Sequence, residues 1–319
     1  MGVLSLPQIA TYISYVLIIV LYTIKVAKVA RTPIHLRWEL YPIAHDKGYK
    51  YGGSYFEDLE WWTKPRQKNS IRGIIYLLKN YLFFGEYFRR NRGYWFGLYP
   101  WHVGFYLIVG FHILSFFGAL AIVTAGISIT SESANILGRL IYYLTLVVAV
   151  SSFALGSAGS IGLLVKRLVD RGLKDYASPI NYFNYLFFLT VFLSGLIAWY
   201  FFDPSLSTYR EFWKNLITFR YMAIEPATYT HIMLFSLFLI YLPFTRSTHY
   251  ITKLFAFFKV RWDDAPNLKG SEIEKKVREA LKQPVSWSAS HIQSGKSWSE
   301  VTQGLPEDAT ETKAQIDRK

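Results

Sequence analysis

The chain of 319 residues contains no cysteine. That absence excludes disulfides, thiolate-held iron–sulfur clusters and a covalent Cys-x-x-Cys-His haem within the chain, so any such centre must belong to a partner. Charge is scarce as well. Only 18% of residues are charged, against 52% apolar and 18% aromatic, and the apolar residues gather into long uncharged runs instead of recurring at amphipathic spacing. These runs indicate an all-α integral membrane bundle. In such a chain the formal charge of +13 belongs to basic loops on the cytoplasmic side, and nucleic acid is not expected as a partner.

Five runs are long and apolar enough to be read as spans: 9–24, 101–127, 137–164, 184–202 and 229–244. The first has no Lys or Arg before it and Lys25, Lys28 and Arg31 after it. That order is the reverse of a cleavable signal and predicts an uncleaved span with its N-terminus outside. The inner loop 25–100 carries 14 Lys/Arg against 6 Asp/Glu. Within it, the stretch 31–65 has helix-breaking prolines and glycines together with many aromatics, which predicts an ordered segment at the membrane interface or against a docked subunit. Its His35 and His45 lack a spaced companion set and are expected to be surface or hydrogen-bonded residues.

Further along the same loop, Ile71, Ile74, Ile75, Leu78 and Leu82 recur at helical spacing, with Arg72 and Lys79 on or beside the other face. This pattern predicts an interfacial helix. An interfacial element over the outer face is expected in the outer loop 203–226, where three basic residues balance three acidic ones among Tyr209, Phe212, Trp213, Phe219 and Tyr221. Span three holds Gly156, Gly159 and Gly162, small residues that let another helix, or a flat macrocycle, approach closely; helix packing alone accounts for them. Pro243 predicts a kink at the end of span five. Residues 1–260 then form the membrane domain and 261–319 a soluble cytoplasmic tail, with one helix near 272–282 and the remainder, including His291, solvated and partly unstructured.

The histidines carry the chemistry. His102 and His112 lie on span two, His231 on span five, and His249 just beyond it; ionisable groups at such depth ask for a functional partner. On an antiparallel pair of helices the depths match as His102 with His249 and His112 with His231. The two sites lie ~15 Å apart along span two and are rotated by about 80°, so they are staggered, and a bend near Pro243 must shorten the longer spacing on span five. One histidine per helix at each depth suits a haem held by two axial imidazoles, whereas zinc or copper needs more ligands converging. Phe105, Phe111 and Phe116 would wall the ring, and Arg246 would meet its propionates.

Five spans with this histidine spacing resemble the gamma subunit of respiratory nitrate reductase and its relatives, the dihaem cytochrome b membrane subunits. The loop residues Leu36 to Pro42, Tyr51 to Glu57 and Trp61 to Pro65, with Val260 to Asp264 after span five, are similar to the sulfate-reducer branch, whose membrane subunit works with a periplasmic tetrahaem cytochrome c. The resemblance implies two haem b groups, the inner on His102 and His249 and the outer on His112 and His231, in a bacterial or archaeal cytoplasmic membrane. It implies electron transfer between menaquinone, or a periplasmic multihaem cytochrome c, and a cytoplasmic heterodisulfide-reductase-like iron–sulfur subunit. Bond-making chemistry is not expected of the chain beyond quinol oxidation. The relatives' outer-loop lysine has no counterpart between Thr124 and Asn135, where Glu132, or Arg139 beyond it, would stand in near the quinone. The alternatives are a haem-free anchor of a redox complex and a proton-coupled transporter, the latter without a supporting inverted repeat.

Overall fold

The computed structural model describes residues 4–31, 59–60, 63–65, 70–259, 269–289 and 292–303. His35, His45, His291 and most of the aromatic stretch 31–65 lie outside these residues. The architecture is all-α, with two isolated β-bridges in the tail. Five helices have the length and mean hydropathy to cross a bilayer: Leu6–Arg31, Arg92–Ala125, Ile136–Val169, Pro179–Phe202 and Pro226–Phe244. They coincide with the five expected spans, each extending beyond its apolar run at one or both ends. The chain divides into two compact units, Met1–Tyr22 with Leu77–Thr245 and Thr23–Tyr76 with Arg246–Lys319.

The first unit is the bundle. Helix α1 (Leu6–Arg31) enters it with its first part, and α3 (Gly85–Arg90) precedes α4 (Arg92–Ala125), while all of α2 (Ser70–Leu77) but its last residue belongs to the second unit. A helix stands where the interfacial one was expected, ending in a wider π-turn over Leu78–Leu82, and Ile71, Ile74, Ile75, Leu78 and Leu82 are all exposed. Span two begins nine residues earlier than the apolar run suggests, because the Asn91 side chain accepts from the Tyr94 amide at 3.0 Å and starts the helix among polar residues. Helix α4 then runs through Pro100 without breaking. Proline forfeits one backbone hydrogen bond, a loss that neighbouring helices offset in membrane bundles.

Helix α5 (Ile136–Val169) returns antiparallel, and the short α6 (Arg171–Asp175) leads into α7 (Pro179–Ile197), which ends in a π-turn over Ala198–Phe202. The α4–α5 seam is made by glycine. A methyl group added at Gly104 would stand 2.5 Å from the Gly156 Cα, and one at Gly159 would collide with the Trp101 backbone. On its other side Gly156 admits the Phe192 ring of α7. Gly156 and Gly159 thus serve helix packing, as sequence alone allows, and Ser152 Oγ donates to the Gly104 carbonyl at 2.8 Å across the same seam.

After α7 the chain forms α8 (Ser207–Ile217) and then α9 (Pro226–Tyr241). Asp203 caps α8 by accepting from the amides of Ser207 and Tyr209 at 2.7 and 3.1 Å. Its stripe of Tyr209, Phe212, Trp213 and Leu216 is buried in the bundle. The outer-loop element is thus a helix whose aromatic face packs into the bundle core. Span five loses its regular helix at Tyr241, and Leu242–Phe244 tightens into a 3₁₀ turn around Pro243, as the missing proline amide dictates.

In the second unit, α10 (His249–Lys259) follows a short turn over Arg246–Thr248. Helix α11 (Glu272–Leu281) matches the expected tail helix. Beyond it, residues 283–289 and 292–303 are joined by backbone hydrogen bonds. The Val285 amide bonds the Lys296 carbonyl at 2.8 Å, the Trp298 amide bonds that of Gln283 at 3.1 Å, and α12 (Trp298–Gln303) follows. Val277, Ala280, Val285 and Ile292 supply a small buried core, enough apolar surface to hold a hairpin against one helix.

Candidate functional site

Three of the four histidines carry the same backbone signature. The Nδ1 atoms of His102, His112 and His249 lie 2.8, 2.7 and 3.0 Å from the carbonyls of Leu98, Ile108 and Arg246. A carbonyl only accepts, so each Nδ1 bears the proton, and in the neutral form of such a ring the lone pair lies on Nε2. His231 reaches the same tautomer through a side chain. Ser194 Oγ donates to the Val191 carbonyl at 2.9 Å and therefore accepts from His231 Nδ1 at 3.0 Å. Anchoring one ring nitrogen in this way fixes the orientation of the other and raises its basicity, the arrangement found around metal-ligating imidazoles.

His112 and His231 both belong to the first unit, on α4 and α9, and are 6% and 2% exposed. His231 Nε2 is fully buried with no hydrogen-bond partner in the structure. Such an atom costs about 1–3 kcal/mol unless something accepts its lone pair. Gly195 makes room for the ring, since a methyl group there would lie 2.8 Å from His231 Cε1. His112 is paired differently: Tyr209 Oη lies 2.8 Å from its Nε2, and Phe235 stacks on the ring at 3.8 Å. Burial pushes the Tyr209 phenol above its ordinary value, with the nearby Trp213 indole weakly opposing, so Tyr209 stays protonated and donates. Tyr209→Phe would strand the His112 acceptor and is expected to cost about 1–3 kcal/mol of stability, read as a lower melting temperature in detergent; an unchanged melt would mean that the bond carries nothing.

Phe235 and Tyr209 lie beside both rings, with centroids 6.4 Å from His231 in each case. Phe111, a predicted wall residue, stacks on Tyr209 at 4.7 Å, and Phe105 meets Phe238 of α9 at 5.6 Å. Helices α4 and α9 therefore meet ring to ring. Beside His112 a cleft of about 670 Å³ opens between α1, α4, α8 and α9, lined by Tyr15, Ile113, Phe116, Trp213 and Phe235 among others, almost wholly apolar. Glu132 and Arg139, the residues considered for quinone contact, are exposed at the α4–α5 turn and outside this lining.

Neither a family model nor a curated protein nor a solved structure matches this chain. Its function must therefore be argued from the site. Among the described residues no group of three or more His, Asp or Glu side chains could hold a bare metal ion, in keeping with one imidazole per helix. The donors fit a haem: the Nδ1 atoms of all four histidines are anchored, His112 and His231 are buried among aromatic rings, and the His231 Nε2 has no hydrogen-bond partner. His102 belongs to the first unit, packed at 4.5 Å against Phe84, while His249 and Arg246 belong to the second. The residue that sequence reasoning missed is Tyr209. Its only signal was the spacing of Tyr209, Phe212, Trp213 and Leu216 on one helical face.

Proposed function

We propose that the chain is a membrane-embedded dihaem cytochrome b, related to the membrane subunits of respiratory nitrate reductase and of sulfate-reducer redox complexes. It relays electrons between menaquinone, or a periplasmic multihaem cytochrome c, and a cytoplasmic iron–sulfur subunit. The observation that carries this reading is the shared tautomer of the four histidines, completed by the orphaned His231 Nε2. Haem iron held by two imidazoles supplies one-electron transfer without breaking substrate bonds.

The chain's own residues would bind, orient and insulate. His112 and His231 would hold the outer group, with Tyr209 and Phe235 turning aside from the His112 nitrogen. His102 and His249 would hold the inner one, with Arg246 available for a propionate. Phe105 and Phe111 exclude water and keep the surroundings of low dielectric. The apolar cleft beside His112 suits the body of a prenyl quinone entering from the bilayer.

The test is a dithionite-reduced minus oxidised spectrum of the purified chain with haem quantification. Two b-type haems per chain are expected, and His249→Ala should lose the inner one while keeping the outer. A colourless, folded preparation made with haem available would favour the haem-free anchor. Adding a menaquinol analogue should then reduce the bound haem; failure of reduction by quinol alone would move the electron donor to the periplasmic cytochrome.

A further inference from the structure

One end of the bundle gathers cations that the electron relay does not use. Segments 85–92 and 166–175 hold seven basic residues against three acidic ones. They lie at the same end because α4 and α5 are antiparallel, with Gly97 facing Gly162 and Leu163. Phe84 fastens α3 there, buried against Leu98 and Leu163, and the Trp95 indole donates to the Phe83 carbonyl at 3.1 Å. The cations are thus presented on a fixed platform.

Their height relative to the membrane follows from helix length. Helices α4 and α5 each have 34 residues, so each is ~51 Å long, well beyond the ~30 Å of a hydrocarbon core. An aromatic girdle of Tyr94, Trp95, Tyr99 and Tyr185 surrounds this end, with Trp95 stacked on Tyr99 at 4.6 Å. Such rings settle at the headgroup boundary. Arg92 lies one turn outside the girdle, and its guanidinium sits 5.0 Å over the Phe88 ring. Arg167 lies 5.9 Å from the Tyr185 ring. The single Glu86 carboxylate is shared by Arg89 and Arg90, and Lys166 pairs with Asp170 at 3.0 Å, so this end keeps a basic excess, Arg89 and Arg90 included. The α4–α5 turn at the other end offers one exposed cation, Arg139, against Glu132.

We infer that this end is a binding site for anionic phospholipid headgroups, with Arg89, Arg90, Arg92 and Arg171 meeting the phosphates. Arginine suits the role because its planar fork meets phosphate oxygens bidentately. The inference is independent of haem.

The test uses the full chain in nanodiscs of phosphatidylcholine, with or without about a quarter of phosphatidylglycerol, a mixture in which surface cations respond to lipid charge. Native mass spectrometry should show phosphatidylglycerol retained over phosphatidylcholine, and hydrogen exchange should slow at 85–92 and 171–174. Arg89→Gln/Arg90→Gln/Arg92→Gln should reduce the preference by at least about tenfold, given the attraction each basic residue contributes near a charged surface. Should that variant not fold, raising salt on the wild type should weaken the preference, because the site is exposed to screening. Equal retention of both lipids, a salt-insensitive preference, or the same protection from inorganic phosphate in neutral discs would overturn the inference.

Discussion

His231→Ala is expected to purify with one haem b per chain instead of two, and to remain folded. The expectation combines two features of the same side chain. His231 is 2% exposed and its Nε2 has no hydrogen-bond partner, so in a purely structural role the ring would contribute packing but carry a stranded acceptor. Removing a buried, unsatisfied polar atom recovers about 1–3 kcal/mol, which offsets much of the packing lost with the ring. As an axial ligand, by contrast, the same nitrogen is indispensable, and the outer group has no other imidazole at its depth on α9. The two roles therefore separate cleanly: a haem-free anchor tolerates His231→Ala with no spectral consequence, while the relay loses half its absorbance. Ser194→Ala is the companion experiment. It removes the acceptor of the His231 Nδ1 proton, 3.0 Å away, and changes of this kind around a ligating histidine cost about 10–100-fold in metal affinity. Two haems retained at full occupancy in His231→Ala would end the assignment of the outer site.

The spans were legible in the sequence because hydropathy needs no knowledge of neighbours: five long apolar runs became five long helices among the described residues. Their ends were less so, since Asn91 starts α4 among charged residues by capping it rather than by being apolar. The proline break after Tyr241 was legible from covalent chemistry alone. At the site, depth arithmetic selected His112 and His231, and both are buried in the bundle. The tautomers of His102, His112 and His249 were hidden, because the acceptors on Leu98, Ile108 and Arg246 are backbone atoms that any residue would supply. Tyr209 was hidden for another reason. The aromatics of its loop announced an interfacial element, but which of them would turn into the bundle is decided by tertiary packing, and its hydroxyl reaches a histidine 97 positions away.

The glycine seam gives the second large effect, and it also decides what stands beside α5. Gly104→Ala adds a methyl group 2.5 Å from the Gly156 Cα and 2.6 Å from its amide nitrogen. Those neighbours are backbone, so no rotamer change relieves the clash and the two helices must part. Parting them also breaks the Ser152 to Gly104 hydrogen bond, and overpacking of this kind costs about 1–3 kcal/mol, more where the backbone has to move. The gain of up to ~1 kcal/mol in helix propensity from glycine to alanine is too small to offset it. Gly110→Ala serves as the control on the same helix, because its methyl group would meet only Val148 Cγ1 at an ordinary 3.5 Å; it should be neutral or slightly stabilising. Melting temperatures in one detergent, with and without added haem, compare the pair. A destabilised Gly104→Ala beside an unaffected Gly110→Ala means that α4 closes directly on α5. Equal melts would mean that the two helices stand farther apart, with space along the glycines that a flat ring could fill, and the outer haem would then have to be sought there rather than between α4 and α9.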